Sequence, residues 1–376
     1  MNFELEPKYK AIQSTALELT KKIEPMAAEA DCLSEVHEGV RVALRESELC
    51  RLMVPAKYGG TFDLIDPLAI CVVREAMMAT SSHLDSLFAL QGIGSYAITV
   101  AGSDKQKSEW LPRIAEVEVL GALALTEEMA GSDLKAVATE IQKTNQGLLL
   151  NGSKSYISNA GASSYYIVFA KEESGYSTIL VSADTEGVTT KPSPELIAPH
   201  VLGDVVFDNV VLPETARLGR QGDGLQNALA TLGVFRVSVA GAAVGLAQAA
   251  LDEAVKHTST RIQFGRPLAK LGPVAQMLAD CWTEIEMARL ITYRAAAMAC
   301  EDPSSALNQS SMAKLAASEM ASRVVDRCVQ MMGRWGLESQ SKIERLYRQA
   351  RPMRIYEGSS EVLRLGIAKQ LVLQNQ

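Results

Sequence analysis

The chain has 376 residues, 47% of them hydrophobic and 22% charged, the balance of a soluble globular protein built from two or three closely associated domains. Its 37 basic and 44 acidic residues give a net charge of −7, which disfavours nucleic acid as a partner. Six scattered cysteines without a CxxC pair, and four histidines (His37, His83, His200, His257) without ligand spacing, argue against zinc ribbons, redox dithiols and histidine-built metal sites.

Residues Met1 to Lys10 lack the apolar run of a signal peptide, and no stretch approaches the roughly 18 uncharged apolar residues of a membrane span. A cytoplasmic location is expected, with the cysteines as reduced, buried thiols. From about Leu5 to Ile114 apolar residues recur at three and four, as in Leu44, Leu49, Leu52 and Met53, which predicts an all-α domain over 1–118. Within it, Gly92 to Ala97 matches GxGxxA, but no strand precedes it, so the pattern reads as close helix packing rather than dinucleotide binding. The texture then changes. Short segments rich in Val, Ile and Tyr, such as Leu148-Leu149-Leu150, Tyr165 to Phe169 and Val205-Val206-Phe207, predict a β domain over 119–219. Asn145-Gln146-Gly147 and Asn151-Gly152 read as its turns. After Gly222 and Gly224 the helical period returns, and segments such as Gly241 to His257, Val274 to Cys300 and Ser310 to Gly333 predict a bundle of four or five helices over 220–376.

The segment Ile355-Tyr356-Glu357-Gly358-Ser359-Ser360-Glu361 sets one carboxylate beside a glycine in an apolar, arginine-flanked stretch. Glycine permits a tight turn that would present Glu357 to a ligand. Read on its own, the segment favours a helix start, with Ser359, Ser360 and Glu361 capping the run from Val362. Arg345, Arg348, Arg351 and Arg354 before it read either as helix-end charges or as a positive field for phosphates.

Four further stretches align with that segment: Leu125 to Asp133 (LTEEMAGSD), Gly152 to Asn159 (GSKSYISN), Arg261 to Leu268 (RIQFGRPL) and Gln330 to Gly336 (QMMGRWG). Together, in this order and spacing, they resemble the acyl-CoA dehydrogenase family of flavoproteins over essentially the whole chain. The resemblance implies an α+β fold: a helical domain, a β-barrel-like middle domain and a helical bundle. It implies FAD as cofactor, with Leu123, Leu125, Thr126, Tyr156, Ile157 and Ser158 along the flavin and Ser132 also near the pantetheine of the substrate. It assigns Arg261, Gln263, Phe264, Gln330, Gly333, Ser359 and Glu361 to FAD as well; Arg261 and Gln330, with their neighbours, would reach the FAD of an adjacent subunit. Arg236, Tyr356 and Gly358 would contact the substrate. Read physically, Arg261 and Phe264 stand three apart at a helix end closed by Gly265 and Pro267, where they would share one face as a cation and an aromatic. Without the other motifs, Tyr156 and Ile157 read as strand core and Asp133 as a cap.

The chain departs from the family pattern at Glu128 (usually Pro), Gly272 (Gln), Arg334 (Gly) and Ser359 (Thr). Gly272 removes a side-chain contact, and Arg334 adds bulk and charge, near the FAD phosphates. Gly233 stands where many members have an acidic residue, which opens an acyl carrier protein thioester as an alternative substrate. Some subfamilies carry the base at the position of Phe235; here only Glu357 serves. The resemblance therefore implies α,β-dehydrogenation of an acyl-CoA to the trans-2-enoyl thioester, with Glu357 as base and hydride transfer to flavin N5. Electrons would pass to an electron-transfer flavoprotein, or to oxygen in an acyl-CoA oxidase, and the assembly would be a homotetramer made of two dimers. A non-catalytic acyl-CoA-binding protein of the same fold is the rival from another class. Val234, Phe235 and Tyr356 suggest a short, branched or cyclic acyl group.

Overall fold

The computed structural model describes residues 4–302 and 306–375, so the chain ends of the first and last expected domains lie outside the described residues. Helices come first: α1 (Pro7–Ala30), α2 (Glu38–Glu46), α3 (Pro67–Met78), α4 (Ser82–Ile93), α5 (Tyr96–Ala101) and α6 (Asp104–Ala115). Eight strands follow: β1 (Gly121–Ala124), β2 (Glu140–Thr144), β3 (Gly147–Ser158), β4 (Tyr165–Glu172), β5 (Gly175–Ser182), β6 (Val188–Pro192), β7 (Leu202–Leu212) and β8 (Arg217–Leu218). Then come α7 (Gly224–Thr260), a hairpin of β9 (Ile262–Gln263) and β10 (Arg266–Pro267), and α8 (Gly272–Glu301), α9 (Leu307–Met332), α10 (Lys342–Ala350) and α11 (Ser360–Leu373). The helix, sheet, helix order read from the sequence is the observed one.

By compactness the residues fall into two units that do not follow chain order: one holds the chain up to residue 31, 67–85 and from 236 onward, the other 32–66 and 86–235. The first unit is helical apart from the β9–β10 hairpin. Its core joins Cys71 and Met78 of α3 to Val237–Leu251 of α7, Ile285 and Ala296 of α8, and Val324 and Cys328 of α9. Glycine makes the α3–α7 approach possible. A Cβ built on Gly245 would stand 1.9 Å from the Glu75 carbonyl oxygen, and one on Gly241 would stand 2.7 Å from that of Cys71. Buried Asp31 ties three segments together, accepting from Ser81 Oγ at 2.7 Å, the His83 N–H at 3.1 Å and Gln349 Nε2 at 3.0 Å.

The α7 helix corrects one expectation. It contains an 18-residue window long and apolar enough to cross a membrane, although 83% of that window is buried inside the protein. Only one or two charges interrupt it because a helix packed on every side reads like a span.

The second unit is organised by an eight-stranded sheet in the order β6-β7-β3-β2-β4-β5-β8, with β1 parallel to β4. Asn145-Gln146 makes the expected turn between β2 and β3, where Thr144 pairs with Gly147. Asn151-Gly152 does not turn. It lies inside β3 at a register shift against β7, where Gly152 has φ +146° and a side chain would strike Thr139 within 2.7 Å. Gly92 of the GxGxxA pattern meets the expectation of close packing: a Cβ there would come within 2.2 Å of the Phe235 ring.

The loop between β1 and β2 is held by a buried ion pair. Lys154 Nζ donates to Glu127 at 2.8 Å and to the Leu125 carbonyl at 2.9 Å, while the Glu127 carboxylate accepts the N–H groups of Ala138 and Thr139 at 2.6 and 3.0 Å. Burial opposes ionisation of Glu127, but these donors hold its pKa below the ordinary value. Burial brings Lys154 down to about 8 despite its partner. The two groups sustain each other's charge.

Two stability measurements follow. Gly245→Ala should destabilise the protein by roughly 1 to 3 kcal/mol or more, because the opposing atom is backbone and cannot rotate away. Gly272→Ala, with nothing within 4 Å, is the control in the same denaturant titration. Lys154→Met should cost about 3 to 5 kcal/mol by stranding Glu127, and adding Glu127→Gln should recover part of that loss. A double variant no more stable than the single would refute the pairing.

Candidate active site

Glu357 sits on a turn that few sequences tolerate. Its φ is +57° and that of Gly358 is +102°, two successive left-handed residues between the short helical turn Pro352–Arg354 and α11. Two cations hold this turn by its main chain. Arg236 Nε donates to the Glu357 carbonyl at 2.8 Å, and its Nη1 donates to Ser311 Oγ at 3.0 Å; Lys314 Nζ donates to the Gly358 carbonyl at 2.7 Å. With the cations engaged there, the side chain keeps a buried oxygen, Oε2, that has no hydrogen-bond partner. The Glu357 N–H likewise has no partner among the described residues.

Electrostatics at the turn are set by competing terms. Burial raises the Glu357 pKa above that of an ordinary carboxylate, and Arg236, Arg74 and Lys314 offset only part of the rise. Burial also lowers Arg236 and brings Lys314 down to about 8, although the Glu357 charge supports both. Arg74 is itself bound bidentately to Asp85, at 2.8 and 2.6 Å, and donates to Ser238 at 2.9 Å. The arrangement therefore offers a carboxylate with raised proton affinity, an open accepting oxygen and an open N–H on the same residue.

Glu357 lies on a turn, and the helix start read from the sequence follows it directly. Ser359 Oγ caps α11 by accepting the Val362 N–H at 3.4 Å, and Glu361 is exposed in the first turn. Three of the preceding arginines are held in ion pairs: Arg345 with Asp31 at 3.7 Å, Arg348 with Glu344 at 2.5 Å and Arg354 with Glu319 at 3.2 Å. Tyr356 is partly exposed beside Glu357, whereas Arg236 is buried, with its guanidinium committed to the turn rather than to an open surface.

The sheet unit carries the other expected residues. Leu123, Leu125 and Thr126 are half-buried along and just beyond β1, which pairs with β4 alone. Tyr156 corrects the strand-core reading. A bulge between Lys154 and Ile157 puts it at φ +57° and leaves its ring 52% exposed, while Ile157 packs into the sheet core. Any cofactor contact of Ile157 falls to its backbone. Ser158 Oγ lies 2.8 Å from His200 Nε2, and exposed Ser132 lies on the loop that Glu127 pins. Asp133 caps the turn Leu134–Ala136, as read from sequence. An exposed aromatic face, half-buried aliphatic side chains, hydroxyls and a strand edge outside the ladder suit a flat heterocycle with a polar rim. These residues fit FAD.

Arg261 and Phe264 do not share a helix face. The helix stops at Thr260, and Phe264 and Gly265, at φ +50° and +75°, form the two-residue tip of the β9–β10 hairpin, with Phe264 89% exposed. Two consecutive left-handed residues are what a tight hairpin requires and what a helix forbids. Gln263 donates to its neighbouring Ile262 carbonyl at 2.6 Å, and Gln330 and Gly333 are exposed at the end of α9. Sequence reasoning missed Lys314, Arg74, Asp85 and His200. The first two carried a signal: Lys314 falls on the buried stripe Ser310, Ala313, Ala317 of α9, and Arg74 interrupts an otherwise apolar α3.

Comparison with known proteins extends over nearly the whole chain. Residues 6–118, 122–210 and 222–372 match the N-terminal, middle and C-terminal domains described for acyl-CoA dehydrogenases. The chain is 34% identical over 361 residues to cyclohex-1-ene-1-carbonyl-CoA dehydrogenase of Geobacter metallireducens, covering 94% of each. Among solved structures, butyryl-CoA dehydrogenase from Megasphaera elsdenii superposes with a TM-score of 0.94 at 30% identity, covering 99% of this chain and 100% of the other. A chain in the structure of the electron transferring flavoprotein of Acidaminococcus fermentans matches with the same score and identity, over 99% of each. The chain belongs to the acyl-CoA dehydrogenase family, FAD-dependent oxidoreductases that act on acyl-CoA.

Proposed function

We propose that Glu357 is the base that removes the α-proton of an acyl-CoA, giving the trans-2-enoyl thioester. The observation that supports this most directly is the buried, unpartnered Oε2 on a turn fixed through its carbonyls by Arg236 and Lys314. The α C–H bond breaks toward Oε2, and Glu357 ends as a carboxylic acid. The open Glu357 N–H would donate to the thioester carbonyl, where negative charge develops as the proton leaves; a donor of this kind is worth about 3 to 4 kcal/mol in a transition state. FAD, when bound, supplies the two-electron acceptor that takes the β-hydrogen as hydride at flavin N5. Leu123, Leu125, Thr126, Tyr156, Ser158 and the Ile157 backbone would line its ring system, with Ser132 near the pantetheine; Gln263, Ser359 and Glu361 complete the proposed FAD set.

Substrate scope and partners belong to the same proposal. Relatives named for cyclohex-1-ene-1-carbonyl-CoA and butyryl-CoA favour a short or cyclic acyl group. The likeness to a chain from an electron transferring flavoprotein structure favours such a protein as electron acceptor. Three domains, 1–118, 119–219 and 220–376, are assigned on the order of helices and sheet. Six free thiols suit a cytoplasmic setting.

Glu357→Gln should separate binding from chemistry. The amide keeps the size of the side chain but cannot take the proton, so the variant should fold, stay yellow and bind an enoyl thioester with a perturbed flavin spectrum. Its anaerobic flavin reduction by a panel of acyl-CoA and acyl carrier protein thioesters should slow by roughly 10² to 10⁴. Near-normal reduction would mean that another base acts. In the wild type, reduction should rise with pH through a limb above the ordinary carboxylate value of about 4.3, since the base works only when deprotonated and burial raises its pKa.

A homotetramer, assembled as two dimers, follows if Arg261, Phe264, Gln330 and Gly333 serve the FAD of a neighbouring copy. Arg261→Ala should then release flavin, and flavin loss and subunit dissociation should track each other in light scattering. A flavin-loaded monomer at micromolar concentration would overturn this assembly.

A further inference from the structure

Arg334 stands where the family pattern has glycine, yet the local structure accommodates it. Where α9 ends, Gly333 adopts φ +62° and ψ −134°, a conformation open chiefly to glycine, and swings the chain into the turn Gly333–Leu337. The Arg334 guanidinium then lies 4.3 Å from the centre of the Trp335 ring. Arg261, the first residue beyond α7, lies 4.8 Å from the centre of the same ring. Both arginines are exposed, and neither side chain has a hydrogen bond or an ion pair with any described residue.

A position just past a helix end explains why a cation is tolerated, but not this geometry. Guanidinium groups serving a helix terminus turn onto its free carbonyls. Here both guanidinium groups lie within 5 Å of the centre of one indole, and none of their N–H donors is taken up by a described carbonyl or carboxylate, which suits them to an oxyanion with several oxygens. A second ring, His257, lies 5.1 Å from Trp335 and has its pKa lowered by burial and by Arg261, so it adds no charge at neutral pH. The cluster thus carries two positive charges and no counter-ion. Beside it Phe264 and Ile262 expose apolar surface on the hairpin that begins next to Arg261.

We propose that Arg334, with Arg261 and Trp335, forms a paired-guanidinium clamp for the diphosphate of an adenine nucleotide, namely the FAD carried by a second copy of this chain. Each fork takes phosphate oxygens, Trp335 holds both forks in register, and the hairpin aromatic covers the adjoining flat ring. The inference rests on the proposed flavin function and on Arg261 reaching a neighbour's cofactor, and adds a second cation that the rest of the family pattern lacks. On this view Arg334 compensates for the side chain missing at Gly272.

The test measures FAD release from the holoenzyme by recovery of flavin fluorescence on dilution, at low and high salt. Arg334→Gln should raise the FAD dissociation constant roughly tenfold or more at low salt, the scale of one charged hydrogen bond, and flatten its salt dependence. Arg334→Lys should recover part of the loss, keeping charge without the fork. Arg334→Gly restores the family residue and should behave like Arg334→Gln, which guards against a packing defect; circular dichroism at saturating FAD should match wild type for all three. Unchanged FAD affinity in Arg334→Gln and Arg334→Gly, beside flavin loss in Arg261→Ala, would overturn the clamp while leaving the flavin function standing. ADP binding to the holoenzyme that Arg334→Gln abolishes without altering flavin retention would overturn the assignment to FAD. Wild-type protein that binds no flavin at all would instead overturn the proposed function.

Discussion

Two buried cations hold the Glu357–Gly358 turn by its carbonyl oxygens, and the chemistry of the site depends on that choice of acceptor. Had Arg236 and Lys314 paired with the carboxylate, Glu357 would be a stabilised anion and a poor base. Bound to the main chain, they fix where the carboxylate points while leaving an oxygen free. The magnitudes are sufficient. A left-handed non-glycine residue costs on the order of 1 to 3 kcal/mol, and a hydrogen bond from a charged donor returns about 1.5 to 3 kcal/mol, so two of them exceed the strain. Burial is the remaining requirement. The same low-polarity surroundings that raise the proton affinity of Glu357 lower that of Lys314, and Arg236, Arg74 and Lys314 each offset part of the rise at the carboxylate.

The sheet unit applies a related device. A bulge, rather than a loop, turns Tyr156 outward while its neighbours Lys154 and Ile157 face inward, one to the Glu127 ion pair and one to the core. A single extra residue in β3 thereby converts a strand with one buried face into one that also offers an aromatic surface. The Lys154–Glu127 ion pair pins the loop carrying Thr126 and Ser132, so a segment that looks mobile in sequence rests on a buried support.

Much of this was legible from the sequence, and the failures share a cause. Periodicity located the helices and the sheet because it reports burial along one element. It could not report pairs far apart in the chain: Arg236 with Glu357, Lys314 with Gly358, and Arg74 with Asp85 are contacts made by tertiary packing. Left-handed backbone was the other blind spot. Gly358 betrayed the turn at Glu357, and Gly265 gave the same signal after Phe264 but reads equally as a helix stop; Tyr156 adopts positive φ with no glycine beside it. Asn151-Gly152 erred in the opposite sense, since a glycine inside a strand marks a bulge as readily as a turn. The apolar run of α7 hid its membrane-like window because one arginine, Arg236, interrupts the run to hold the Glu357 carbonyl.

The close fit of Gly92 against Phe235 bears on how a base could ever move in this lineage. The Phe235 ring, packed edge-on to Tyr96 at 5.7 Å, fills the space that any side chain at position 92 would need. Replacing it with a carboxylate would empty part of that volume and bury a charge among apolar neighbours, a loss comparable to the roughly 3 to 5 kcal/mol of a large aromatic truncation. A larger residue at 92 would refill the volume, but it cannot arrive first, because it collides with the ring. Moving the role proposed for Glu357 to position 235 would therefore be a two-step path, and either intermediate would be badly destabilised.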